Sequence, residues 1–348
     1  MTSLAPRHDG RGTATVPRPR RRRLLGLAVA LVTLAVLLVL SVMIGSTRIP
    51  PSAVWDALLH ASADIDQFAI RDYRIPRTIV GLVVGVALGL SGALIQALTR
   101  NPLADPGVLG VHAGASFAVT VAVGVLGIRD VQDYLWFAFA GALAVTLMVL
   151  ALGSTWQGSS PVVMVLAGVC VSAVLGGARE ALQLTDPDAF DALRSWNAGS
   201  TAGRPLEVVS PILPFLAVAV VLALVVAGPL NAMALGSELA VAQGVRLART
   251  RILAIIAITV LAGGATAIAG PIGFVGLMVP HVARWIVGPH QRWIFAYSIL
   301  LAPSLLLLSD ILGRVVLRPG EVPVGVVTAF VGAPVLIVLA RRKKASGL

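Results

Sequence analysis

Long apolar runs separated by short polar segments fill most of the chain. They lie near 24–44, 78–98, 106–128, 134–153, 161–178, 208–230, 252–270, 293–309 and 322–340. A helix crossing a hydrocarbon core of about 30 Å needs about 20 apolar residues at about 1.5 Å each, so every run predicts a membrane span. A tenth stretch, 271–287, is interrupted by Pro271, Pro280, His281 and Arg284. The flanks decide its status. Arg20, Arg21, Arg22 and Arg23 precede the first run, and Arg341, Arg342, Lys343 and Lys344 follow the last. Basic flanks stay in the cytoplasm, so both termini belong inside and the number of crossings is even. The pattern predicts an all-α membrane protein of about ten transmembrane helices, with 271–287 as a short or irregular crossing.

Composition agrees and charge sharpens the picture. Of 348 residues, 57% are hydrophobic and 12% charged, and mean hydropathy is +0.91. Soluble domains carry about 25% charged residues. The formal net charge of +11 could suggest a nucleic-acid partner until it is resolved by loop. The expected cytoplasmic segments hold 17 basic and 3 acidic residues and the outer ones 10 basic and 13 acidic, a split of +14 against −3. The basicity is a topological signal, and no nucleic-acid partner is expected. The only lysines are Lys343 and Lys344. A P-loop and a buried Schiff-base lysine are therefore excluded, and any ATP hydrolysis falls to another chain. Cys170 is the single cysteine and the five histidines are scattered; neither a disulfide, a metal site nor a catalytic triad is expected. The expected organisation is a disordered basic cytoplasmic tail (1–23), a ten-helix transmembrane domain (24–340) and a second basic tail (341–348). The first apolar run exceeds the 7–15 residues of a signal-peptide core, so it reads as a retained helix.

The middles of the spans lack Asp, Glu, Lys and Arg, which counts against a proton- or sodium-coupled carrier. They hold small residues instead, as in Gly81, Gly85 and Gly89, which suit close helix packing or a smooth pathway wall. Three loop features carry more information. Arg74, Arg77 and nearby Arg71 sit at an outer mouth, and Arg314 and Arg318 recur outside after the ninth span; each could snorkel or could dock an acidic partner. Asn101, Pro102, Asp105, Pro106 and Gly107 make a rigid cytoplasmic turn. In the cytoplasmic loop 229–251, residues 237–243 form a short helix candidate ended by Gly244, suited to lie on the membrane surface or in a groove of a partner.

Together these stretches resemble the FecCD family of ABC importer permeases, which take up ferric siderophores, haem and cobalamin. The matching segments are Arg74-Ile75-Pro76-Arg77; 91–98 leading into 101–110; Leu235-Gly236-Ser237-Glu238; 270–284; and 321–334, in that order. Ser237 and Gln243 depart from the usual residues of the cytoplasmic helix. The resemblance implies an inverted repeat of spans 2–5 and 7–10, a second permease subunit (a homodimer or a paralogue), two cytoplasmic ATPase subunits and an extracytoplasmic binding protein. It implies no cofactor in this chain, with ATP and Mg bound by the ATPase. Carried over by position, Arg74, Arg77 and Arg314 dock the binding protein. Gly236, Glu238, Gln243, Gly244 and Arg246 couple to the ATPase. Gln96, Asn101, Pro102, Glu321 and Pro323 are pathway or gate candidates. The expected function is ATP-driven alternating access carrying a metal chelate, a ferric siderophore first among the options, into the cytoplasm. A stand-alone secondary carrier or channel is the rival.

Overall fold

A computed structural model describes residues 20–47, 49–60, 65–154, 161–187, 191 and 193–341. The two expected tails lie outside these residues except for 20–23 and Arg341. Among the described residues ten apolar helices carry the fold: α1 (Arg20–Met43), α2 (Ile75–Thr99), α3 (Val111–Gly124), α4 (Val131–Ser154), α5 (Pro161–Gln183), α6 (Leu213–Met233), α7 (Leu247–Ala269), α8 (Val275–Val287), α9 (Gln291–Val316) and α10 (Val324–Arg341). Seven are long and apolar enough to cross a membrane; α3, α8 and the apolar part of α10 are shorter. No strand occurs among the described residues.

The helix directions alternate. α1 and α9 run parallel: the Tyr297 hydroxyl donates to the Arg23 carbonyl (2.7 Å) near their starts, and Arg314 Nη1 donates to the Ser41 carbonyl (2.7 Å) near their ends. α2 runs against α9, with Gly81 facing Leu307 and Gly89 facing Ala302, and α10 folds back on α9 where Gly313 meets Val322. Arg20 and Arg341 therefore share one end of the bundle. That end, where α2 terminates, is called here the Arg100 end; the other is the Arg77 end.

Small residues set the core. α2 and α7 lie at the centre, with 78% and 72% of their apolar windows buried, against 11% for α5. A Cβ at Gly85 would sit 2.4 Å from the Cα of Pro303, and one at Gly92 only 1.9 Å from the Gly276 carbonyl oxygen. The backbones meet there because no side chain intervenes, which is the use of small residues in a bilayer that offers no hydrophobic drive between helices.

The irregular crossing is half turn and half helix. α8 has 13 residues, a rise of about 20 Å, and it follows a bent segment in which Gly270 and Phe274 take φ of 73° and 68°. Pro271 and Gly273 disfavour helix there. Protein covers the segment: Gly270 packs against the Trp196 carbonyl and Gly199, the Pro271 carbonyl against Gly199, and Phe274 against Gly332. Non-helical backbone persists at membrane depth only under such cover. The first quartet, α2–α5, repeats the device. Its second helix, α3, has 14 residues and follows a 3₁₀ turn at Pro106–Leu109 and a left-handed Gly110. Since α2 begins at the Arg77 end and α7 at the Arg100 end, the two quartets correspond with opposite orientation, the arrangement of an inverted repeat.

Candidate functional site: polar clusters at the two ends of the bundle

At the Arg77 end the ninth helix runs past its expected limit at 309 to Val316, carrying Asp310 and Arg314 into the protein interior. Both side chains are almost wholly enclosed. Asp310 is a hub. Its carboxylate accepts from Arg77 Nη2 (2.7 Å) and Nε (3.0 and 3.1 Å), from Thr201 Oγ1 (2.9 Å), from Arg314 Nε (3.0 Å) and from Arg314 Nη2. Arg77 Nη1 also reaches Glu321 (2.5 Å), on the loop before α10. One buried carboxylate thus joins α2, α9 and the loop after residue 198, and a second carboxylate adds the α10 loop.

The same arginines close off α1. A helix ends with four carbonyls lacking partners, and α1 has no basic residue in its last turn. Guanidiniums from elsewhere in the chain supply the donors. Arg74 reaches the carbonyls of Val42 (3.1 Å), Met43 (2.8 Å) and Thr47 (2.9 Å). Arg314 reaches those of Ser41 (2.7 Å) and Ile44 (3.0 Å), and Arg318 that of Gly45 (2.9 Å). Cations at this terminus also oppose the negative end of the helix dipole. Arg74 is 5% exposed and Arg314 1%, so neither presents a free guanidinium at the surface; backbone carbonyls occupy Arg74, and carbonyls together with Asp310 occupy Arg314. Arg77 and Glu321 form the accessible rim. A cleft of about 170 Å³ opens above them, lined by Gly45, Tyr73, Arg77 and Glu321 among others, with parts of Arg74 and Arg314 in its wall. Pro323 starts the first turn of α10, its carbonyl accepting from Val326 N–H (3.0 Å).

At the Arg100 end, α2 stops at Arg100, a non-glycine residue in the left-handed region (φ 52°). Its Nη2 donates to the Met233 carbonyl (2.6 Å) and reaches Ser237 Oγ (3.5 Å). This side chain joins α2 to the short helix Ser237–Ala242. That helix ends in a Schellman motif: Gly244 (φ 80°) donates to the Val241 carbonyl (2.8 Å) and Val245 N–H to the Ala240 carbonyl (2.9 Å). Gly236, at φ 122°, lets the chain enter it. Glu238, Gln243, Gly244 and Arg246 are exposed, beside an apolar ridge of Leu235, Leu239 and Val241. Asn101 Oδ1 and Asp105 Oδ1 tie the following turn by accepting from Leu103 N–H (3.0 Å) and Gly107 N–H (2.8 Å); Pro102 lies half-buried between them. Gln96 is buried inside α2, donating to the Leu277 carbonyl (2.9 Å) and accepting from Arg284 (3.2 Å), so it locks α2 to α8.

The structure thus gathers Arg74, Arg77, Arg314 and Glu321 at one end. At the other, Arg100 ties α2 to the short helix, Gln96 ties α2 to α8, and Asn101 and Pro102 lie in the turn that follows α2. Among the described residues no group of three or more His, Cys, Asp and Glu could hold a metal ion. Residues 33–342 match the FecCD transport family.

The chain belongs to the FecCD transport family.

Among FecCD relatives, the chain is 48% identical over 318 residues to the ferric enterobactin transport system permease protein FepD of Escherichia coli K12, covering 91% of this chain and 95% of that one. It is 38% identical over 289 residues to the Fe(3+)-citrate import system permease protein YfmD of Bacillus subtilis, covering 83% and 84%. To the iron(3+)-hydroxamate import system permease protein FhuB of the same species it is 36% identical over 308 residues, covering 88% and 80%. A solved structure described as an inward-facing conformation of a metal-chelate type ABC transporter superposes with a TM-score of 0.78 at 27% identity, covering 92% of this chain and 99% of that one. This FecCD chain is accordingly a permease subunit of an ABC importer, a transporter component and not an enzyme. It is a multi-pass protein of the bacterial inner membrane. As an ABC permease it works with an ATPase component.

The sequence indicated Arg74, Arg77, Arg314 and Glu321 but gave no binding or coupling role to Asp310, Thr201, Arg100 or Arg284. The available signal for Asp310 was its i, i+4 spacing to Arg314, which lets an acid and a base pair on one helix face.

Proposed function

We propose that this chain forms the path by which a ferric siderophore enters the cytoplasm, in a complex with a second permease subunit, two ATPase subunits and an extracytoplasmic binding protein. The observation that carries the proposal is the near half identity to a ferric enterobactin permease across nine-tenths of the chain. In this reading the Arg77 end faces outward and the Arg100 end faces the cytoplasm, in line with the excess of basic residues at the latter. ATP and Mg belong to the ATPase subunits. The exposed ridge of Leu235, Leu239 and Val241, flanked by Glu238, Gln243 and Arg246, is the seat for the ATPase, and an amphipathic helix of this kind fits an apolar groove. Arg100, Gln96 and Arg284 connect that seat to α2 and α8, so movement of the short helix is passed to the bundle core. The binding protein docks over the rim formed by Arg77 and Glu321, while Arg74 and Arg314 hold the rim in place from beneath. The turn at Asn101 and Pro102 and the loop at Glu321 and Pro323 are the inner and outer gates.

The test is uptake of radiolabelled iron in cells whose own ferric siderophore permease is deleted, with the chain supplied alongside its ATPase and binding protein. Ferric enterobactin, a ferric hydroxamate and ferric citrate are offered separately. ATPase-dependent uptake of a ferric siderophore supports the proposal. Flux through the chain alone in liposomes, driven by a proton or sodium gradient, would overturn it in favour of a secondary carrier.

A further inference from the structure

Between α1 and α2, at the Arg77 end, the chain forms a nine-residue helix, Pro51–Leu59. It rises about 14 Å against a hydrocarbon core of about 30 Å, so it cannot cross. Burial divides it into lengthwise stripes. Val54 and Ala57 are buried against Ile70, with Val42 and Met43 of the last turn of α1 and Ile75, the first residue of α2, packed on the same cluster. Pro51, Trp55 and Leu59 are exposed at a spacing of four, and so are Ser52, Asp56 and His60, one residue further on. Residues four apart share a helix face, and the offset of one residue turns the second series about 100° from the first. The contact of 2.9 Å between Asp56 Oδ1 and His60 Nδ1 joins two members of the polar series. The exposed arc is thus split into an apolar half and a polar half.

The helix is not free to roll and hide its apolar half. Arg71 Nε donates to the Ala57 carbonyl (2.7 Å) and Arg71 Nη2 to the His60 carbonyl (3.1 Å), which also accepts from Gln67 Nε2. These bonds satisfy carbonyls at the C-terminal end of the helix. They strap it to the turns Ile65–Phe68 and Ala69–Arg74 that lead into α2. Trp55 is left 66% exposed and Leu59 62%. The level of the helix says what covers them. It packs where α1 ends and α2 begins, which is the edge of the hydrocarbon core, and α1 beneath it carries exposed Val32, Val36 and Val39. The apolar half therefore continues the lipid-facing surface of the bundle. Tryptophan is enriched at that depth, where an amphipathic ring meets headgroups. A helix with one side on protein, one apolar side and one polar side is built to lie in the plane of the boundary.

We infer that the helix Pro51–Leu59 lies on the membrane surface, with Trp55 and Leu59 inserted among the headgroups and upper acyl chains and Asp56 and His60 turned to water. Because Arg71 straps it to the run of chain that carries Arg74 and Arg77, the helix moors the arginine cluster at the level of the bilayer surface. The inference depends neither on the substrate carried nor on which side of the membrane the Arg77 end occupies. The assembled transporter, carrying Cys170→Ser and no other reactive thiol, is placed in nanodiscs of phosphatidylethanolamine and phosphatidylglycerol. Trp55→Cys, Asp56→Cys, Leu59→Cys and His60→Cys are spin-labelled one at a time. Collisions with oxygen, which concentrates in lipid, and with a water-soluble nickel chelate give the depth of each label. Labels at 55 and 59 are expected about 5–10 Å inside the boundary, and those at 56 and 60 in water. All four side chains are exposed, and the pair Leu59→Cys and His60→Cys carries the test if Trp55→Cys does not assemble. Nickel reaching 55 and 59 as freely as 56 and 60 overturns the inference. So does shielding of 55 and 59 from both reagents, with or without added binding protein, which would make the stripe a protein-docking surface.

Discussion

Removing Asp310 exposes the energetics of the outer cluster most directly. The cluster holds three guanidiniums (Arg74, Arg77, Arg314) and two carboxylates (Asp310, Glu321), and Asp310 alone bonds both Arg77 and Arg314. In Asp310→Ala three cations face one partly exposed carboxylate. Two guanidiniums about 6 Å apart repel by about 3 kcal/mol at an effective dielectric of about 20. Breaking a buried pair by deleting one partner costs about 3–5 kcal/mol in measured cases, because the other charge stays buried. A loss of about 3–5 kcal/mol is therefore expected for Asp310→Ala. Adding Arg314→Leu removes the stranded charge at the expense of the bonds to the Ser41 and Ile44 carbonyls, about 1 kcal/mol each. The double variant should recover at least about 2 kcal/mol relative to the sum of the singles, a coupling of the size seen for residues in one network. Reversible unfolding in mixed SDS and lipid micelles measures all three. A change below about 1 kcal/mol for Asp310→Ala, or strict additivity in the double variant, would refute the claim that this carboxylate organises the mouth.

Other expectations follow from the same geometry. Arg100→Gly keeps the left-handed backbone, which glycine adopts freely, and deletes the tie to Met233 and Ser237; stability should hold within about 1 kcal/mol while transport per ATP hydrolysed falls, measured in proteoliposomes of the assembled complex. Leu239→Glu alters a side chain that is 56% exposed, so melting should move little, whereas ATPase co-purification should drop. Gly92→Ala drives a methyl into the Gly276 carbonyl and should cost about 1–3 kcal/mol by forcing α2 from α8. Gly177→Ala, with nothing within 4 Å, should be neutral in the same melting assay.

Much of the fold was legible because bilayer thickness fixes helix length and basic flanks fix parity. The nine apolar runs, and the marginal stretch 271–287 as a helical segment, could be read on those grounds alone, as could the short helix ended by Gly244, whose positive φ is a local requirement. The end of α9 was not legible. Hydropathy stops at 309 because Asp310 and Arg314 are polar one by one, and their mutual neutralisation appears only when the spacing is read as a pair. The roles of Arg74 and Arg314 were hidden for a related reason. A sequence shows where a charge lies along the chain but not that the C-terminal carbonyls of a helix about 30 residues or 270 residues away will occupy it. Arg100 was read as one more cytoplasmic charge, since its bond to Met233 spans 133 positions.

The i, i+4 pairing of Asp310 with Arg314 also bears on how the protein is made. α9 must partition into lipid before its final neighbours are all packed against it, and an Asp or an Arg at the centre of an inserting helix costs about 2.5–3.5 kcal/mol each. Carried as a self-compensating pair near the helix end, the two residues can enter with their charges already matched. The bonds to α1 and α2 can then be added to the internal contact as the bundle closes. A lone Asp310 or a lone Arg314 would have to wait for a partner while still in lipid. Substitutions at either position should therefore be felt first as incomplete membrane insertion and rapid turnover of the nascent chain, before any defect in the finished transporter could be measured.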